Sequence, residues 1–425
     1  MTSRMPQIAR YTAAGPSLWS YDRLPDGVRV EPIPLVAEDG GESHGTLYTR
    51  GSETCVALMM HPRGDMQRHY AMPRLLEAGI ATFGQAGRFI NNDVNLIHER
   101  IIVDVAAAVR QLKDRGFRKI VLLGNSGGGA LYSFYQSQSQ TAAPGRLSDT
   151  AAGDPCDLNK LQMPPADGIV QLATHLGQGK LMLAIIDPSV TDENDPLSID
   201  PSLDMYDPAN GFRPLPEPSK YGAEFLARYR AAQSARVARI DAIARAHVDE
   251  WNHWLRRLGA PDFESLPQRE QARVLRHGFV GRYMAIHRTE AHPAYTDLSI
   301  LPSARQIGSF FSPRPDVFNY LEAGFGKYQT PRAWLSTWSG HASRASTLDC
   351  LPAITVPTLV VAYLGDNAVF SNHTDSIYER SPAADKQIQR VAGDHLGYGP
   401  GGMRDRSGQN AALDVIVPWI KERFS

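Results

Sequence analysis

Between residues 54 and 174 short apolar runs alternate with stretches of helical period, and this alternation constrains the fold more than any other feature. The runs are 54–60 (TCVALMM), 79–84 (GIATFG), 119–123 (KIVLL) and 167–174 (DGIVQLAT). They are apolar on both faces and short, as strands buried from two sides must be. Between the second and third, residues 96–115 carry Ile97, Ile101, Val105, Ala108 and Leu112 at three- and four-residue steps. That spacing predicts an amphipathic helix, and Gly116 stands where a helix-ending glycine belongs. A shorter helix ends at 75–78. Alternating strands and helices require a mostly parallel sheet covered on both faces. Ahead of it, 28–36 and 43–49 flank a Glu-Asp-Gly-Gly-Glu turn and read as a β-hairpin.

The alternation stops after 174 and resumes after Ile354. Residues 357–363 (PTLVVAY) and 386–391 read as strands, and 410–424 as a closing helix. The intervening stretch has a different character. Asp187, Asp192, Glu193, Asp195, Asp200, Asp204 and Asp207 fall in one proline-bearing segment without Lys or Arg. The spacing of a calcium loop is absent, so a solvated acidic loop is expected. Residues 220–258 and 266–286 read as helices, and 137–165 as a polar surface loop. Residues 302–338 are rich in aromatic side chains, suited either to lining an apolar pocket or to packing one layer on another.

The third apolar run leads into Gly124-Asn125-Ser126-Gly127-Gly128-Gly129, the pattern G-x-S-x-G between a strand and a helix. A serine at the apex of such a turn projects above the sheet at a helix N-terminus. Its glycine neighbours let strand and helix approach closely. No Lys follows the glycines, and the G-x-G-x-x-G spacing is missing, so the loop is not read as a phosphate or dinucleotide cradle. Asp366 follows the strand at 357–363, and His395 follows the strand at 386–391. In a parallel sheet these ends share one edge with Ser126, where the crevice of an open α/β sheet forms.

Ser126, Asp366 and His395 in that chain order resemble the α/β-hydrolase superfamily. The resemblance covers 28–176 and 346–424. It implies an α/β-hydrolase fold, with core segments at 1–176 and 346–425 and a large, mainly helical cap inserted at 177–345. It further implies Ser126 as nucleophile, His395 as general base and Asp366 as the acid that orients it, with Asp394 the rival acid expected to point away. The oxyanion hole is expected from the N–H of Gly127 and from the loop His61-Pro62-Arg63-Gly64-Asp65. Pro62 has no N–H there, which leaves Arg63, with Gly64 as the alternative. The implied activity is hydrolysis of an ester, thioester or lactone through an acyl-enzyme, with a bulky or hydrophobic small-molecule substrate. Carbon–carbon bond hydrolysis and acyl transfer use the same machinery. A non-catalytic binding protein is the competing class, disfavoured because all three positions are filled. Dehalogenases and most epoxide hydrolases of this fold use an Asp nucleophile, which Ser126 argues against.

With 425 residues and a net charge of -1, the chain carries no global field for nucleic acid or an anionic membrane. No apolar run reaches membrane-spanning length. Residues 1–27 lack the apolar stretch of a secretory signal. The three cysteines, Cys55, Cys156 and Cys350, form no close pair, so a reducing, cytoplasmic setting is expected. No cofactor or metal is implied, and a homo-oligomer is admitted by the sequence. His61, His69 and His98 match no zinc spacing and are expected to be structural, and Arg88 to be an ion-pair partner or a crevice residue.

Overall fold

The computed structural model describes Ser20 and residues 22–425. The leader reading of residues 1–27 concerns mostly positions outside the described residues. The predicted hairpin is β1 (Arg29–Val36) and β2 (Glu42–Thr49), paired antiparallel with Arg29 opposite Thr49. Then follow β3 (Cys55–Met60), α1 (Met72–Glu77), β4 (Ala81–Ala86), α2 (His98–Asp114), β5 (Lys119–Asn125), α3 (Gly127–Gln140) and β6 (Gly168–Leu172).

The long connection after β6 holds α4 (Gln178–Ile185), the 36-residue α5 (Ala223–Leu258) and α6 (Gln268–Phe279). It also holds a small sheet of β7 (Met284–Ala285) with β8 (Tyr328–Gln329), and the short helices α7 (Pro315–Phe318) and α8 (Pro331–Ala333). A π turn (Trp334–Trp338) and α9 (Thr347–Cys350) lead back to β9 (Thr358–Tyr363), α10 (Ser371–Arg380), β10 (Lys386–Val391) and α11 (Ser407–Phe424).

The large sheet has the order β1-β2-β4-β3-β5-β6-β9-β10. It is parallel from β4 to β10, and β2 joins β4 antiparallel. Successive residues of a strand face opposite layers. Ile120 and Leu122 accordingly pack with Ile101, Val105 and Leu131 of α2 and α3, while Val121 and Leu123 pack with Leu75 and Leu76 of α1 and Ile416 and Ile420 of α11. A third apolar cluster lies in the connection, where Ile240 and Val237 of α5 meet Leu181, Tyr295, Trp334 and Trp338.

Three expectations are corrected. Helix α3 runs through Gln140 into the stretch read as loop, because Ser137, Ser139 and Thr141 bond their hydroxyls back to carbonyls three or four residues earlier and leave the helix intact. The helix expected over 266–286 stops at Phe279, where Val280 is extended and the chain turns into β7. The acidic segment is only partly solvated. Asp187 is 1% exposed, accepts from Asn319 Nδ2 at 2.9 Å, and lies 3.6 Å from the Arg288 guanidinium. Glu193 pairs with Arg236 at 2.8 Å and Arg239 at 2.6 Å, both from α5. Asp192, Asp195, Asp200, Asp204 and Asp207 each accept the N–H two residues on, so these acids shape turns. No helix among the described residues is long and apolar enough to cross a membrane.

Candidate active site

The chain has the α/β-hydrolase fold, and the C-terminal edge of its parallel strands is where reactive side chains should gather. Ser126 sits between β5 and α3 with φ 54° and ψ -123°, a conformation that strains any residue with a Cβ. The turn is held on both sides. Ser126 N donates to Leu172 O of β6 at 2.9 Å, and Gly129 N donates to Ser126 O at 3.1 Å. A Cβ on Gly124 would lie 2.4 Å from Gly129 Cα, and one on Gly128 would lie 2.4 Å from Met60 O. Only glycine lets α3 start this close to β5 and β3. His69 completes the support. Its Nδ1 accepts from Ala71 N, so its Nε2 carries the proton and lies 3.3 Å from Asn125 Oδ1, beside the serine.

The structure brings the three expected residues together. His395, after β10, has Nε2 2.9 Å from Ser126 Oγ and Nδ1 2.7 Å from Asp366 Oδ2, after β9. The other oxygen of Asp366 accepts from Ala368 N and Val369 N, each at 2.7 Å, which fixes the carboxylate plane. Nδ1 therefore donates to Asp366, and the bare Nε2 is free to accept from the serine. Asp394 is turned into its own loop, where it accepts from Leu396 N and Tyr398 N. Burial disfavours a charged His395, but the Asp366 carboxylate outweighs it and raises the imidazole above its ordinary value.

The loop after β3 departs from expectation. Arg63 N, expected as an oxyanion donor, donates to His61 Nδ1 at 3.1 Å and is spent within the loop. The Arg63 side chain pairs with Asp93 and lies over Trp338, 5.2 Å from the ring centre. Gly127 is the first residue of α3, so its N–H is among those a helix leaves without an internal partner. Around it stand side chains that sequence reasoning did not connect. A Cβ on Gly127 would be 2.9 Å from His61 Nε2, 2.9 Å from Gln178 Nε2 and 3.3 Å from His175 Nε2. His175 follows β6 at the same sheet edge, and that placement was the available signal.

The rings of the aromatic stretch divide between the edge of the site and the interior. Phe310 stands edge-on to His395 at 4.9 Å, and Phe311 and Phe325 pack beside it, all three half-buried. Phe318, Trp334 and Trp338 are buried. Of the remaining candidates, His98 lies buried with its N–H and Nδ1 on Ser336, and Arg88 pairs with Asp39 and Asp104. Among the described residues no three His, Cys, Asp or Glu side chains are grouped to hold a metal.

No protein-family model matches this chain, and no curated protein matches it. Among solved structures it is similar to DcsB in complex with its substrate analogue, at 13% identity and TM-score 0.47, over 93% of this chain and 99% of that one. It is also similar to the Pyrococcus furiosus esterase Pf2001, at 10% identity and TM-score 0.43, over 97% and 99% of the two chains. A thermophilic esterase from Thermogutta terrifontis aligns at 12% identity and TM-score 0.42, over 93% of this chain and 100% of that one.

Proposed function

We propose that the chain is a serine hydrolase that cleaves a carboxylic ester, thioester or lactone through an acyl-enzyme on Ser126. The observation that carries this reading is the continuous contact from Ser126 Oγ to His395 Nε2 at 2.9 Å and from His395 Nδ1 to Asp366 at 2.7 Å. A serine hydroxyl is a weak nucleophile near neutral pH and needs a base within this reach. His395 takes the hydroxyl proton as Oγ attacks the carbonyl carbon, and returns it to the leaving alkoxide or thiolate. Asp366 keeps the imidazole in the required tautomer and stabilises its transient charge. Water then attacks the acyl-enzyme with the same His395 as base. The N–H of Gly127 faces the oxygen on which negative charge develops.

In this reading residues 177–345 form a cap over a core made of 1–176 and 346–425. Phe310, Phe311 and Phe325 supply an apolar wall for a bulky acyl group, since burial of apolar surface contributes about 25 cal/mol per Å². A fluorophosphonate probe tests the nucleophile. The expected result is a single adduct on the peptide bearing Ser126, lost in Ser126→Ala together with a fall in kcat of about 10⁶. Absence of any adduct in the wild-type chain overturns the reading. A panel of acyl chains tests the wall, and preference for acetyl over large apolar acyl groups overturns that part.

A further inference from the structure

We propose that the second oxyanion donor is the side chain of His61, through its Nε2–H, rather than a backbone N–H of the loop after β3. The proposal rests on Ser126 as nucleophile and deepens that reading.

The tautomer follows from the loop. Arg63 N–H points at His61 Nδ1 from 3.1 Å, so Nδ1 accepts and the neutral ring carries its proton on Nε2. The ring is held below its ordinary value, because its enclosed surroundings and the nearby Arg63, His395 and His98 disfavour the charged form. The place a Cβ would take on Gly127 is one bond from the Cα of the residue that follows the nucleophile, and His61 Nε2 lies 2.9 Å from it. Among the described residues Nε2 has no partner in the chain. His61 is also only partly buried, whereas His175 and Gln178, which border the same point, are buried. His175 is held in the same tautomer by Gly177 N at 3.0 Å and backs His61 without reaching as near.

This arrangement explains the His-Pro sequence. Proline at 62 removes one backbone donor, and Arg63 gives up the next to set the imidazole. One donor of the hole is thus a side chain, beside the backbone N–H of Gly127.

Two substitutions separate the halves of the ring. His61→Asn keeps an acceptor near the Nδ1 position, so the loop retains its bond to Arg63 N–H, but it has no donor at Nε2. His61→Gln places an amide N–H near Nε2. With an ester substrate, His61→Asn is expected to lower kcat by 10²–10³ with KM little changed, as loss of one oxyanion donor does. His61→Gln is expected to recover at least tenfold of that loss.

The decisive readout is the ratio of kcat/KM for an ester to that for its thiono analogue. Sulfur accepts hydrogen bonds poorly, so loss of the donor lowers the ratio by about tenfold, the order of one neutral hydrogen bond. A merely structural role of His61 would lower both rates equally and leave the ratio unchanged. Failure is separable from failure of the nucleophile. If Ser126 takes the fluorophosphonate and the ratio in His61→Asn equals that of wild type, the donor assignment falls alone. If Ser126 is not labelled, both fall.

Discussion

His395 is under two opposed influences. Burial alone would hold its imidazole below the ordinary histidine value, while the Asp366 carboxylate at 2.7 Å raises it. A general base works only when neutral, so the acid limb of kcat/KM should lie above the unperturbed value of about 6.5. In Asp366→Asn the main raising contribution is gone, and burial is opposed only by the lesser influence of Asp394. The limb should then move below that value, and kcat should fall by about 10⁴ because the tautomer is no longer fixed. A pH profile of kcat/KM for the two proteins checks both parts, and an unmoved limb counts against the role of Asp366. At this scale the sequence was legible wherever a residue's place on an element decided its role. Ser126, Asp366 and His395 each follow a strand on one sheet edge, so their meeting could be anticipated from strand ends alone. His61, His175 and Gln178 could not be joined to them in the same way. Their meeting depends on where a side-chain nitrogen points, and for the two histidines that is set by bonds to Arg63 N and Gly177 N that no spacing reveals.

At the scale of the element, the strand–turn–helix from β5 to α3 is a close backbone packing with a strained serine at its centre. Gly124→Ala would place a methyl group 2.4 Å from Gly129 Cα, against backbone that cannot move without shifting α3. The expected cost is 1–3 kcal/mol of stability, as for overpacking elsewhere, with a larger fractional loss of activity because Ser126 is displaced from His395. Denaturant midpoints and kcat measured together check this, and full activity at wild-type stability would exclude it. The π turn (Trp334–Trp338) is the opposite case, an element invisible in sequence. Trp334 Nε1 and Ser339 Oγ donate to the two oxygens of Asp241 on α5, at 2.7 and 2.8 Å. Ser336 and Thr337 reach the start of α2 through His98 N, Glu99 and Leu96 O. These bonds join residues about a hundred or more positions apart, whereas helical or strand periodicity is a local signal. The acidic segment misled for the same reason, since Glu193 finds its arginines on α5, more than forty positions away.

For the whole molecule, the buried histidines set the response to acid. Burial is the first cause that lowers four of them, His395 apart. His69 and His98 are pushed down to about 4, while His175 and His292 lie well below their ordinary value. In the unfolded chain each titrates near 6.5, so below that pH the unfolded state binds protons that the folded state refuses. Their contribution is therefore complete above about 6.5 and is lost progressively as pH falls toward their folded values. The slope approaches about 1.4 kcal/mol per pH unit for each histidine kept neutral. Denaturant midpoints between pH 7.5 and 5 should fall steeply before most carboxylates titrate. A flat profile in that window would contradict the buried neutral state.

The connection between β6 and β9 touches the chemistry at one more point than its aromatic wall. Arg63, two residues beyond His61, is ion-paired to Asp93 and stacked over Trp338 and Phe325. The segment that would choose a substrate and the loop that would steady its reacting oxygen thus share one side chain. A substitution at Trp338 or Phe325 changes what Arg63 packs against, and so reaches the loop that carries His61.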